Sequence, residues 1–274
     1  MRAAMYDLIT AKPSTGHPQT FQMDAGGFKY QMILVALSVS EHALHAKGGI
    51  MFVGHYGVAF AVQSIRGAPS LATSFVAVQL VDFIAFTLAI FDIEKWRPNP
   101  SIAGFMPMDL YYMPFTHSLL GCTVWAILAG ILVAKTISVP GWRGRAGVLT
   151  GGLVLSHWFL DLLVHRHDLG ILGDDAHKFG FALWDHPEIA IPLELGILVI
   201  GFVIYQSRTT ATSAWGKRLP WIVMAMLVVF QYANWYGPPP VERVATSIAV
   251  LLAYTVCVGA AWLLDRTRTQ RSTA

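Results

Sequence analysis

Six ionisable residues interrupt otherwise apolar stretches of this 274-residue chain: His55, Asp82, His117, His157, Asp161 and Glu194. An ionisable group inside hydrocarbon is costly, so each is a functional candidate by default. Imidazole nitrogen and carboxylate oxygen together suit a divalent metal, which needs them to converge from several elements. In Ser156-His157-Trp158-Phe159-Leu160-Asp161 the four-residue spacing puts ring and carboxylate on one helical face. His157 and Asp161 thus offer two ligands, and Asp82 and His117 from neighbouring helices complete a set of three or four. His55 is a further ligand or a proton carrier, and Glu194 is a second acid or base. An ion held with one open position activates water by lowering its pKa, which is the chemistry of hydrolysis. Zinc is the first expectation for such mixed ligands, with manganese or iron as alternatives.

These side chains need elements to hold them, and composition says which kind. Hydrophobic residues make up 55% of the chain, charged residues only 13%, and mean hydropathy is +0.53. Soluble domains carry about 25% charged residues. The expected fold class is therefore all-α, a polytopic helical bundle in a membrane, with no sizeable domain outside it. Seven apolar segments are countable, at 51–64, 71–91, 114–137, 146–164, 189–205, 221–236 and 244–264, which predicts about seven transmembrane helices, the first of them short. Arg66-Gly67-Ala68-Pro69, Val139-Pro140-Gly141-Trp142-Arg143 and Gly237-Pro238-Pro239-Pro240 break them apart. Trp96, Trp142, Trp184, Trp215, Trp221 and Trp235 fall near segment ends, as interfacial aromatics do.

Lys and Arg counted loop by loop then orient the chain. Ten lie on one side (Arg66, Lys135, Arg143, Arg145, Arg208, Lys217, Arg218, Arg266, Arg268, Arg271) and five on the other (Lys95, Arg97, Arg166, Lys178, Arg243). The positive-inside rule puts the richer side and the C-terminus in the cytoplasm of a bacterial inner membrane. On that topology all six ionisable residues share the outer half or the midplane, although sidedness came only from the loops. This depth favours a lipid-linked substrate and a site facing outward, with the bilayer itself as the first partner.

Other classes of function find no support. The formal net charge of +3 is scattered rather than gathered into a run that would follow a phosphate backbone, so nucleic acid is not expected as a partner. Cys122 and Cys257 have no CxxC or Cys/His spacing and read as small core residues. There is no GxSxG, no phosphate loop and no HExxH. His165-Arg166-His167-Asp168 reads as a solvated loop, although His165 continues the face of His157 and Asp161 and is within reach of the site. Thr116 and Ser118 flank His117 and are placed to orient it.

Residues 1–50 differ from the rest. Their one apolar stretch, 32–39, is too short to span, and it lacks the basic flank and cleavage site of a signal peptide. Lys47-Gly48-Gly49 can be encoded by a purine-rich run resembling a ribosome-binding site, with Ile50 as spacer, so translation is expected to start at Met51. Intact mass of the native protein tests this, and a mass that includes residues 1–50 refutes it.

Gly54-His55-Tyr56-Gly57, Phe115-Thr116-His117-Ser118-Leu119-Leu120 and Ser156-His157-Trp158-Phe159-Leu160-Asp161-Leu162-Leu163 resemble motifs of the YdjM-like bacterial membrane proteins, a group identified by prediction as metal-dependent hydrolases. The resemblance runs from about Met51 to Trp184. Carried over position by position, it implies functional roles for His55, Asp82, His117, His157 and Asp161. The chain departs from the pattern twice. Leu80-Val81-Asp82-Phe83-Ile84 stands where the group has L-P-D-x-D, and Tyr112-Met113-Pro114-Phe115 stands where it has H-R ahead of T-H-S. With one carboxylate and a His/Arg pair missing, the resemblance implies a single-metal site, or one that no longer catalyses.

Two rival readings use the same residues. A transporter could relay protons or bind a cation through Asp82, His157 and Asp161, although no repeated half is visible. Alternatively the His and Asp groups could be structural pairs of a scaffold, with Glu194 satisfying backbone freed by Pro192.

Overall fold

All seven apolar segments are helical past residue 52. The computed structural model describes residues 53–99, 102, 107–136, 141–174 and 177–271, so the start expected at Met51 lies outside them. The helices are α1 (Val53–Val62), α2 (Leu71–Val78), α3 (Leu80–Ile90), α4 (Leu119–Thr136), α5 (Arg143–Val164), α6 (Pro187–Arg208), α7 (Ala214–Tyr236) and α8 (Arg243–Thr267). Starts follow their capping residues. Ser70 and Ser213 accept from Thr73 N and Gly216 N, Pro187 occupies the first turn of α6, and Glu242 accepts from Val244 N and Ala245 N.

The all-α class holds, and among the described residues fewer than seven helices reach the length of a span. Five helices, α4 to α8, are long and apolar enough to cross a membrane, and the number rises to six if α2 and α3 form one span. These two meet at a 53° bend at Gln79. The remaining segment, α1, has ten residues, which at 1.5 Å per residue reaches about half of a 30 Å hydrocarbon layer. The outer faces of the long helices carry exposed Leu120, Ile127, Leu132, Ile200, Val229 and Leu252, the apolar surface that a bilayer covers.

Small residues set the two closest helix pairs. A Cβ on Gly201 of α6 would collide with the carbonyl of Gly57 on α1, and one on Gly147 of α5 would lie 2.6 Å from the carbonyl of Gly130 on α4. Around these pairs α2 packs on α1, α5 and α8, and α3 packs on α8.

Two short antiparallel pairs that the sequence reading left as loops close opposite ends of the bundle. β1 (Lys95–Pro98) pairs with β2 (Met108–Tyr112) between α3 and α4. β3 (Thr209–Ala211) pairs with β4 (Arg268–Gln270) where α6 and α8 end. Trp96 on β1 and Trp184 in a short 3₁₀ turn (Leu183–Asp185) are 1% exposed, so neither is the interfacial aromatic expected. Trp235 is likewise buried.

Candidate metal centre

α5 presents His157, Asp161 and, one residue past its end, His165 along a single face, since residues four apart stand one above the other. The bend at Gln79 brings Asp82, in the first turn of α3, to the same level. His55 comes from α1 and His117 from the turn before α4. All six side chains are at least 94% buried.

The atoms converge. His117 Nε2 lies 3.4 Å from Asp82 Oδ1 and 3.7 Å from Asp161 Oδ2. His157 Nε2 lies 3.5 Å from Asp82 Oδ1 and 3.0 Å from Asp161 Oδ2. His55 Nε2 is 3.3 Å from Asp161 Oδ1, and His165 Nε2 is 3.7 Å from Asp161 Oδ2. Ligands about 2.0–2.1 Å from a tetrahedral ion stand about 3.3–3.4 Å from one another, so these separations match a ligand shell. His55, His157 and Asp161 form one group of three within reach of one ion, Asp82, His117 and His157 a second, and His117, Asp161 and His165 a third.

Partners on the far side of each ring decide which nitrogen faces the carboxylates. His157 Nδ1 lies 2.7 Å from the carbonyl of Val78, which can only accept, so Nδ1 carries the proton. Thr116 donates its single hydroxyl proton to Glu94 and therefore accepts from His117 Nδ1 at 2.9 Å. His165 Nδ1 donates to Asp168 Oδ1 at 2.9 Å. Three rings thus turn Nε2 toward two carboxylates. Among the described residues His157 Nε2 and both nitrogens of His55 have no hydrogen-bond partner, despite the short separations from Asp161. A neutral buried Nε2 facing a carboxylate oxygen repels it unless a proton or a metal cation lies between them. The donor set fits a divalent ion with borderline preference for nitrogen, and the outer contacts to a carbonyl, a hydroxyl and a carboxylate are those that fix ligand histidines.

Surrounding groups complete the site. Buried Glu94 accepts from the backbone N–H of Phe115 at 2.7 Å and of Thr116 at 2.9 Å, which fixes the turn carrying His117. Tyr254 of α8 donates to Asp82 Oδ2 at 2.6 Å. A cavity of about 20 Å³, room for one water or ion, lies against Asp82, His117, Asp161 and His165 under a roof that includes Trp96 and Trp184.

The sequence reading named five of these residues, and the structure brings all five together. Glu194 stands apart from the ligand groups: Oε1 accepts from Gly54 N at 3.4 Å and Oε2 from Gln231 Nε2 at 3.0 Å, so it meets α1 one residue away from His55. His165, read chiefly as a solvated loop residue, is 2% exposed and belongs to the cluster; the i, i+4 continuation from Asp161 was its signal. Glu94 and Tyr254 were missed and had no local signal. Thr116 does orient His117 as expected, whereas Ser118 turns back to the carbonyl of Pro114.

The chain matches no family model, no curated protein and no solved structure.

Proposed function

We propose that the protein is a metal-dependent hydrolase of an ester or phosphoester in a membrane-embedded or lipid-linked substrate. The observation that carries this reading is the convergence of histidine Nε2 atoms on two buried carboxylates, with Nδ1 atoms tied elsewhere. Asp82, His117, His157 and Asp161 would hold the ion, with zinc preferred and manganese or iron as alternatives. A divalent cation there supplies Lewis-acid polarisation of an ester or phosphoryl oxygen and acidifies coordinated water. His55 adjoins Asp161 Oδ1 as a further ligand or proton carrier, and Glu194 is the other acid or base within reach of α1. Trp96 and Trp184 keep bulk water from the ligands.

The resemblance to the YdjM-like hydrolases supports the same assignment. So does an apolar cavity of about 590 Å³ between α7 and α8, which takes in Phe230, Ala249 and Ala253 and ends on Tyr254, the residue bonded to Asp82. Met108 lines both this cavity and the small one at the site, so a hydrocarbon chain lying between the helices would bring its ester beside the ligands. The Lys and Arg distribution supports a bacterial inner-membrane reading with the site toward the outside.

The test is metal content of detergent-purified protein, beside His157→Ala and Asp161→Ala, followed by hydrolysis of phosphoesters and lipid esters. Near-stoichiometric metal lost in both folded variants, with metal-dependent turnover, is the expected result. Folded wild type that stays empty when zinc or manganese is supplied overturns the reading and turns attention to proton-coupled flux in proteoliposomes.

A further inference from the structure

A four-ligand shell of Asp82, His117, His157 and Asp161 accounts for only half of the imidazoles that reach the centre. His55 and His165 also turn toward Asp161, and they do so from different sides. His55 Nε2 approaches Oδ1 at 3.3 Å, and His165 Nε2 approaches Oδ2 at 3.7 Å. His55 and His165 share no ligand group, while Asp161 belongs to the groups of both.

The rings are also paired. His55 stacks on His157 with centroids 4.2 Å apart and planes 8° from parallel, so the two rings lie side by side. His117 lies 5.6 Å from His165 and 5.9 Å from His157 by ring centroid, and His117 and His165 both line the small cavity along with Asp82 and Asp161. That cavity is bounded by neither His55 nor His157. Two pairs of imidazoles therefore address the carboxylates from two directions. A single ion of tetrahedral preference cannot use four imidazoles and two carboxylates. It would leave His55, with neither nitrogen partnered among the described residues, as an orphan in the core.

We propose that the centre binds two divalent cations, one held by His55 and His157, the other by His117 and His165, with Asp161 shared between them. Asp82 Oδ1, 3.4 Å from His117 Nε2 and 3.5 Å from His157 Nε2, stands between the two sites as a second shared ligand. Each cation then has two nitrogens and a share of two carboxylates, and the four imidazoles leave no nitrogen facing Asp161 unused. His165 adds an imidazole to the five residues that the resemblance implies, which gives a double site in place of a single-metal one. This inference rests on the metal-centre reading above and narrows its substrate class. Two ions on a shared carboxylate suit a phosphoester, because they stabilise both the attacking and the leaving oxygen of an in-line displacement.

The full chain in detergent is loaded with manganese(II), freed of excess by gel filtration, and assayed for metal per chain and by electron paramagnetic resonance. The expected result is two manganese per chain with an exchange-coupled spectrum. His55→Ala and His165→Ala should each fall to one manganese per chain and lose the coupling. His165→Gln provides a second variant if alanine at that buried site does not fold, with thermal unfolding as the check. One uncoupled manganese per chain, retained by both variants, overturns the two-ion assignment and leaves the hydrolase reading standing. A folded wild-type chain that takes up no manganese overturns both.

Discussion

At the scale of the residue, the ligands are set by what lies behind them. Thr116 links His117 to Glu94, so its hydroxyl both fixes the ring and determines which nitrogen faces the carboxylates. Thr116→Val keeps the shape and removes the link; loss of a partner behind a ligand histidine weakens metal binding by about 10- to 100-fold. Competition with a chromogenic chelator measures this, and Thr116→Ser should restore the wild-type value. Much of the ligand set was legible because it is local: His157, Asp161 and His165 repeat every four residues on one helix. Glu94 and Tyr254 were not, since their contacts join positions 22 and 172 residues apart, and a glutamate in a charged loop or a tyrosine on an apolar helix looks ordinary in sequence.

Elements hold the centre by close approach and by capping. Gly201→Ala pushes a Cβ into the carbonyl of Gly57, so it should separate α1 from α6 and lower stability by about 1–3 kcal/mol, an overpacking cost. Gly259→Ala meets nothing within 4 Å and should be neutral or slightly stabilising, which thermal unfolding of the two variants in the same detergent will compare. At the start of α8, the N–H groups of Ala245 and Val244 draw the Glu242 carboxyl below its ordinary value of 4.5. A depressed folded-state value means that stabilisation is full above about pH 4.5 and is lost as pH falls through the folded value. Glu242→Gln should therefore show a shallower acid limb in a plot of melting temperature against pH. Helix positions were readable from apolar runs, but the bend was not: neither Gly nor Pro marks Gln79, where α2 packs on α1, α5 and α8.

Across the whole molecule, contacts gather the loops into two ends. Arg66 and Arg145 stack on Trp142, Asp265 accepts from the first N–H groups of α2, and β3 pairs with β4, all at one end. The hairpin of β1 and β2, the Arg243 contact to Asp92 and the Arg166 pair with Asp185 lie at the other, nearer the ligands. The loops counted as rich in Lys and Arg are those of the first end. A fluorescent protein fused after Ala274 should therefore fluoresce in the cytoplasm, and a cysteine placed at exposed His167 should react with an impermeant maleimide from outside intact spheroplasts. Labelling only after lysis would reverse the orientation. The number of spans was less legible than their sequence positions, because hydropathy counts apolar segments without showing that α1 has ten described residues or that α2 and α3 are angled apart.

The grip of Val78 on His157 is made by a main-chain oxygen, and every amino acid has one. A deep mutational scan should find position 78 tolerant of other apolar residues of similar size, with the imidazole still locked. Inserting or deleting a single residue in α2 would swing that oxygen about 100° around the helix axis and release the ring. What position 78 contributes is thus the path of the chain rather than the identity of a side chain, and a change of length there costs more than a change of letter.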